Sequence, residues 1–281
     1  MASRLLLLNG MRYHVELRGP PLADAGQRPM LALLHGFTGS AAGWGAHLDT
    51  FAAAGLPVIA FDLPGHGASD APADPARYAL ERAREDIPAA LAQLGVARGQ
   101  AVLLGYSMGG RVALCAAISG FFRALVLESA SPGLATAHER AERRASDESL
   151  AARIERDGVA AFVDEWERLP LFASQAALPA DARAALRTER LRNSPTGLAN
   201  SLRGGGTGAQ ASLWERLSDL AIPTLLLAGA LDAKFTAIAE RMATALPRAT
   251  LRVVPGAGHA IHLERPSVFA ALVLEFVNDL V

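Results

Sequence analysis

Three side chains in this sequence could together move a proton or form a covalent intermediate: Ser107, Asp232 and His259. Ser107 lies in Gly105-Tyr-Ser-Met-Gly109, after the apolar run Ala101 to Leu104 and before the small apolar residues of Met108 to Ile118. A strand entering G-x-S-x-G and leaving as a helix is a nucleophile elbow, in which the serine oxygen stands exposed on a strained turn. The glycines two before and two after the serine relieve the crowding of that turn. A serine hydroxyl becomes a useful base or nucleophile only when a histidine takes its proton and a carboxylate fixes the histidine's tautomer. On such a fold the chain order is Ser, acid, His. Asp232 follows the run Thr224 to Leu227 through Gly229-Ala-Leu, and His259 follows Leu251 to Val254 through Pro255-Gly-Ala-Gly. Each has a plainer reading: Asp232 could cap the next helix and His259 could order a glycine loop. The three in this order favour a triad. Glu128 is the rival acid, and His66 and His262 are rival bases.

A triad of this kind needs two backbone N–H donors for a developing oxyanion. Met108, directly after the serine, supplies one. Phe37, in the His35-Gly-Phe that follows the run Met30 to Leu34, is the candidate for the other. His35 itself reads as structural, because the donor required is backbone.

The elements that must position these residues are legible as apolar runs. Leu5 to Leu8, Asn9-Gly10 and Met11 to Leu17 form a β-hairpin pattern. Met30 to Leu34, Pro57 to Phe61, Ala101 to Leu104, Ala124 to Leu127, Thr224 to Leu227 and Leu251 to Val254 lack alternation, as strands covered on both faces do. Helical segments fall between them at Ala42 to Ala54, Tyr78 to Leu94, Met108 to Ile118, Phe235 to Ala245 and Ser267 to Leu280. The alternation predicts an α/β fold, a mostly parallel central sheet with helices on both faces. It stops between Ser131 and about Ile222, where helical patterning dominates. The organisation is therefore a core in two parts, 1–130 and 223–281, with a helical cap at 131–222. Within the cap, Val159, Phe162, Val163, Trp166 and Leu169 recur at helical spacing, Ser194-Pro195 reads as a helix start, and Gly204 to Gly208 reads as a flexible hinge.

Composition narrows the partners. Lys+Arg 27 against Asp+Glu 28 gives a net charge of -1, which offers no electrostatic footprint for nucleic acid or an anionic membrane. No stretch approaches the ~18 apolar residues of a membrane span, and Leu5 to Leu8 is too short for a signal segment. Cys115 is the single cysteine, a packing residue by its setting, so a disulfide framework and a cysteine-rich metal site are excluded and the cytoplasm is the expected compartment. No metal-ligand cluster or phosphate loop is found, so neither metal nor cofactor is expected. Lys234 is the only lysine, so the coding bias runs to arginine and an arginine argument must rest on position.

Beyond the elbow, Gly105-Tyr-Ser-Met-Gly-Gly-Arg111, Glu128-Ser-Ala-Ser-Pro-Gly-Leu134, Arg140-Ala-Glu-Arg143, Trp166 with Leu171-Phe-Ala-Ser174, Arg192-Asn-Ser, Leu198-Ala-Asn-Ser-Leu-Arg203 and Leu231-Asp-Ala-Lys-Phe235 carry a closer likeness. The chain resembles the α/β-hydrolase superfamily over its whole length. Within it the chain is similar to the 2-succinyl-6-hydroxy-2,4-cyclohexadiene-1-carboxylate synthases of menaquinone biosynthesis. The resemblance implies a lyase that eliminates pyruvate from 2-succinyl-5-enolpyruvyl-6-hydroxy-3-cyclohexene-1-carboxylate without a cofactor, with Ser107 as base. It also implies that Arg111, Arg143 and Arg192 hold the carboxylates of a small tricarboxylate substrate, and that Tyr106 and Trp166 line the pocket. The 12 arginines and 12 acidic residues between Arg140 and Asp219 give the cap no net field that would argue the same. Arg111 has a physical hint of its own. It sits in the first turn of a helix of otherwise small apolar residues, where the macrodipole disfavours a cation by ~0.3 to 1 kcal/mol and a bound carboxylate would offset the cost. The rival reading of Arg111 is an ion pair with Glu128. The rival reading of the whole is a serine hydrolase of the same fold acting on an ester or carbon-carbon bond through an acyl-enzyme. A non-catalytic binding protein would have no use for all three triad residues.

Overall fold

A computed structural model describes residues 2–281. Eight strands form one sheet: β1 (Ala2–Leu8), β2 (Met11–Arg18), β3 (Met30–Leu34), β4 (Val58–Phe61), β5 (Ala101–Tyr106), β6 (Ala124–Glu128), β7 (Thr224–Gly229) and β8 (Ala249–Val254). Their order is β1-β2-β4-β3-β5-β6-β7-β8. The pairs β1/β2 and β2/β4 are antiparallel, and every later pair is parallel. Nine helices accompany it among the described residues: α1 (Ala46–Ala53), α2 (Ala83–Gln93), α3 (Met108–Ala117), α4 (Ala137–Trp166), α5 (Ala180–Leu191), α6 (Pro195–Gly205), α7 (Ala233–Ala245), α8 (Ile261–Glu264) and α9 (Pro266–Asn278). None is long and apolar enough to cross a membrane.

The continuous apolar runs follow from burial on two sides. Met30, Ala32 and Leu34 of β3 and Ala101 and Leu103 of β5 join the cluster packed by α2, α3 and Met242 of α7. Their alternates Leu31, Leu33, Val102 and Leu104 join Leu48 and Phe51 of α1 and Phe269 and Val273 of α9 on the other face. Side chains two apart share a face, so a strand covered twice has no polar phase. The exception is β8. It is an edge strand, with Val253 exposed, so coverage on both faces fails there.

Helices α4 to α6 fall between β6 and β7, with no strand among them. Thr136 opens α4 with a reciprocal cap, its hydroxyl accepting from the Glu139 N–H at 3.1 Å while the Glu139 carboxylate accepts from the Thr136 N–H at 2.8 Å. Gly158, at φ 85°, kinks the helix, and beyond it Val159, Phe162 and Val163 pack on Leu198, Ala199 and Leu202 of α6. Leu169 departs from that stripe. It lies past the end of α4 and is exposed. Ser194 caps α6 as expected, accepting from the Gly197 N–H at 2.9 Å with Pro195 first in the helix.

The glycine run at 204–208 is no hinge. A methyl on Gly204 would meet the Pro75 carbonyl oxygen at 1.9 Å, and one on Gly208 would meet the Arg144 nitrogen at 2.4 Å. These glycines let α6 and the turn after it lie directly on neighbouring backbone, and Asn200 extends the contact by donating to Pro72 and Ala73 carbonyls at 3.0 and 3.1 Å. Gly204→Ala is therefore expected to lower stability by about 1–3 kcal/mol, the scale of overpacking. Gly10→Ala, at a φ of +78° with nothing within 4 Å, is the control that carries backbone strain without a clash. Denaturant midpoints of the two variants separate packing from strain.

Candidate active site

The turn after β5 holds Ser107 at φ 51° and ψ −107°. For a side chain other than glycine this left-handed backbone costs about 1–3 kcal/mol and persists only where the surroundings enforce it. Here the enforcement is steric and hydrogen-bonded. A methyl on Gly105 would meet the Gly109 oxygen at 2.2 Å, one on Gly109 the Leu34 oxygen at 2.2 Å, and one on Gly110 the Ala130 methyl at 2.5 Å. Only glycines let β5 turn into α3 this tightly against β3. The Ser107 N–H donates to the Glu128 carbonyl at 2.8 Å, and the Arg111 N–H donates to the Ser107 carbonyl at 3.1 Å.

His259 reaches this turn from the loop after β8. Its Nε2 lies 2.9 Å from Ser107 Oγ, and its Nδ1 lies 2.7 Å from Asp232 Oδ2. An ionised Asp232 only accepts, so Nδ1 carries the proton and Nε2 is left to accept from the serine. Asp232 does both things its position allowed: Oδ1 accepts from the Phe235 N–H at 3.2 Å and caps α7. The Phe235 ring stands edge-on to His259 at 4.5 Å and covers it. His259 and Asp232 are both buried.

The backbone N–H groups of Phe37 and Met108 have no intramolecular acceptor among the described residues, and both residues line the cavity above Ser107. Between them His35 is structural. Its Nδ1 donates to the Gly36 carbonyl at 2.8 Å and its Nε2 accepts from the Leu63 N–H at 3.0 Å. Burial pushes its basicity down. The rivals for acid and base do not hydrogen-bond the Ser107 hydroxyl: Glu128 pairs at 2.9 Å with His262, which lines the cavity, and His66 is buried outside it, its pKa pushed down to about 3 mainly by desolvation.

The cavity has a volume of about 400 Å³ and runs between the sheet edge and the cap. Tyr106 and Trp166 form part of its wall. Trp166 is also packed against Phe37, Phe162 and Phe172 at 5.3 to 5.4 Å, so cap core and pocket wall are one surface. Arg111 donates to the Gly205 carbonyl at 2.9 Å and to Gln210 at 3.1 Å, and no carboxylate pairs with it, Glu128 included. Its pKa is pushed down to about 10, first by burial and then by the charge of Arg143, with Asp147 opposing. Arg143 is held through Nε by Asp147 at 2.7 Å, which leaves its two terminal nitrogens for the cavity.

Arg192 does not join them. It is exposed at the end of α5 and lines no part of the cavity. Arg190 does, buried against the Phe172 ring at 5.5 Å and paired with Glu167 at 3.1 Å. Lys234 and Arg241 also stand on the wall. The lining thus holds five cations, Arg111, Arg143, Arg190, Lys234 and Arg241, against the two acids Glu139 and Glu189. The lone lysine of an arginine-biased sequence, two residues past Asp232, was a signal available for Lys234. Arg190 and Arg241 gave none.

Comparison with known proteins places these features in company. The model of the alpha/beta hydrolase family matches residues 31–272. A Bacillus subtilis (strain 168) protein, provisionally named 2-succinyl-6-hydroxy-2,4-cyclohexadiene-1-carboxylate synthase, is 44% identical over 277 residues, covering 97% of each chain. The synthase of that name from Salmonella agona (strain SL483) is 37% identical over 242 residues, covering 85% of this chain and 90% of the other. Among solved structures, MenH from S. aureus superimposes with a TM-score of 0.89 at 34% identity, over 95% of this chain and 98% of that one.

The double duty of Asp232 is separable by substitution. Asp232→Ala is expected to lose about 1 kcal/mol of stability with the cap of α7. Asp232→Ser keeps a capping oxygen and is expected to recover most of that loss while leaving His259 without its carboxylate. Denaturant unfolding of both variants checks the cap, and equal midpoints would remove it.

Proposed function

The chain belongs to the alpha/beta hydrolase family and, within it, to the 2-succinyl-6-hydroxy-2,4-cyclohexadiene-1-carboxylate synthases, lyases of menaquinone biosynthesis, and on that premise we propose how its residues perform the elimination. The substrate is 2-succinyl-5-enolpyruvyl-6-hydroxy-3-cyclohexene-1-carboxylate. His259, held by Asp232, takes the hydroxyl proton of Ser107 as the serine oxygen removes the ring proton next to the succinyl carbonyl. The negative charge gathers on that carbonyl oxygen, where the free N–H groups of Phe37 and Met108 receive it. Its collapse forms the 2,3 double bond, moves the 3,4 double bond to 4,5, and expels the enolate of pyruvate from carbon 5. No water is consumed.

The observation that carries this reading is Arg111. A half-buried guanidinium with no carboxylate partner is costly, and the bound anion is what completes it. It lies one helical turn beyond Ser107 and close enough to Arg143 to feel its charge. A clamp of two guanidiniums beside the serine suits a substrate with several carboxylates better than an ester. Arg190 takes the place that the sequence resemblance gave to Arg192. Cys115, buried in α3 with its thiol pushed up by burial, packs and does no chemistry, which fits a cytoplasmic enzyme. The partner is a small anionic molecule, and the residues described require no metal or cofactor for the steps above.

Arg111→Ala and Arg143→Ala are each expected to cost ~1.5 to 3 kcal/mol in kcat/KM for pyruvate release, with Lys recovering only part. Arg192→Ala should stay within twofold of the parent protein. Wild-type kcat/KM in the Arg111 variant would remove the clamp.

Ser107→Ala is expected to lower turnover by at least ~10²-fold, the scale of losing a positioned base. A serine that only carries a proton leaves no adduct, so pyruvate should appear without a pre-steady-state burst. Rapid-quench mass spectrometry decides between lyase and hydrolase. An acyl group trapped on Ser107 with the native substrate would install the hydrolase of the same fold instead.

A further inference from the structure

Behind Tyr106 the cavity wall contains a second imidazole backed by a carboxylate. His262 Nδ1 lies 2.9 Å from both oxygens of Glu128, and its backbone N–H donates to the same carboxylate at 3.0 Å. Glu128 is 0% exposed and has no arginine or lysine partner, so His262 is the whole of its compensation. The arrangement repeats that of His259 three residues earlier: carboxylate on Nδ1, Nε2 pointing away from it. The two rings flank Tyr106 at 4.6 and 5.5 Å. They differ in one respect. His259 Nε2 meets Ser107, whereas His262 Nε2 has no protein partner among the described residues, and His262 lines the cavity.

The same stretch of wall lacks an acceptor. Trp44, 5.0 Å from His262, is 2% exposed, lines the cavity, and its indole N–H finds no partner. An indole nitrogen can only donate, so the atom missing here is an acceptor oxygen. Charged groups facing this wall are Glu189, bonded to Ser40 at 2.7 Å, and Arg190. Burial pushes the Glu189 carboxyl up, which lessens its repulsion of an incoming anion. Arg111 and Arg143 lie elsewhere on the lining, with Gly205, Gln210 and Asp147 as their contacts rather than Tyr106 and Trp44.

We propose that His262 acts as an imidazolium, its Nδ1–H donating to Glu128 as counter-ion, and is a specificity-determining residue whose Nε2–H donates to a carboxylate of the substrate other than the one clamped by Arg111 and Arg143. The assignment rests on the polycarboxylate substrate proposed above. It makes the cavity two-ended, so that a dicarboxylate of the right span is held across Ser107 and a monocarboxylate is not.

The test uses the full-length protein and 2-succinylbenzoate, the aromatic analogue of the proposed product, which carries two carboxylates and undergoes no elimination. His262→Asn keeps an amide nitrogen where Nδ1 meets Glu128 and removes the reach of Nε2. It is expected to weaken binding about tenfold by calorimetry, as for one charge-assisted bond, with the thermal midpoint retained. The loss should vanish for one of the two monomethyl esters of the probe, and His262→Gln, whose amide reaches the Nε2 position, should recover part of it. In the wild-type protein the nitrogen-15 resonance of His262 Nε2 should move as the probe is added. A Kd within twofold for His262→Asn, an Nε2 resonance unmoved at saturation, or no binding to the wild-type protein overturns the proposal. Because the readout is binding, a wild-type protein that binds the probe yet releases no pyruvate would fail the reaction proposed above and leave the His262 result standing.

Discussion

Everything at the site depends on one backbone angle, the positive φ of Ser107. A serine at that angle is out of its comfortable region, so the fold must enforce it from outside the residue. The enforcement comes from β3, β5, β6 and α3 together: the Leu34 oxygen closes on Gly109, the Ala130 methyl on Gly110, and the Glu128 carbonyl takes the Ser107 N–H. The same compression puts the Met108 N–H at the start of α3 with nothing to bond. The strain thus presents the hydroxyl and leaves a backbone donor free in a single turn, and the parallel pairing of β3, β5 and β6 is what sustains it.

Charge is arranged by a different logic. Along the sequence the cap is balanced, and most of its arginines do close on neighbouring acids: Arg203 on Glu148 and Glu155, Arg187 on Asp164 and Glu167. Such exposed pairs contribute little to stability. They do remove more than half of the cap's arginines from competition for an anion, while Arg111, on α3 of the core, lines the cavity without a carboxylate partner. Sequence balance and cavity imbalance are therefore compatible, because pairing sorts the charges by place.

This sorting marks what could be read in advance. The meeting of Ser107, Asp232 and His259 was legible because each is announced by backbone chemistry, glycines around Ser107 and strand ends before Asp232 and His259. The same holds for the alternation of strands and helices, since a doubly covered strand writes its burial into every position. Which face of α5 meets the cavity was not legible. Arg190 rather than Arg192 turns inward because Glu167 and Phe172, from other elements, receive it there. Leu169 left its stripe because α4 ends at Trp166. The glycines at 204–208 looked like freedom, and only the neighbouring Pro75 and Arg144 backbone shows them to be close contacts. Local signals carry turns and caps, while facing and pairing are tertiary.

Those glycines also tie the two halves of the site together. Gly208 lies against the backbone at Arg144, where its carbonyl accepts from the Arg144 guanidinium at 3.0 Å, and its N–H points to Asp147 at 3.4 Å. Asp147 is the residue that aims Arg143. One turn earlier the Gly205 carbonyl accepts from Arg111, which belongs to the helix of the elbow. The two guanidiniums thus reach the cavity from opposite sides, one from the sheet side and one from the cap, and the same short glycine segment sets the position of both. A side chain at any of its glycines would crowd neighbouring backbone at 1.9 to 2.8 Å and shift Arg111 and Arg143 relative to Ser107, so a stretch with no chemistry of its own sets the distance between the two guanidiniums and the serine.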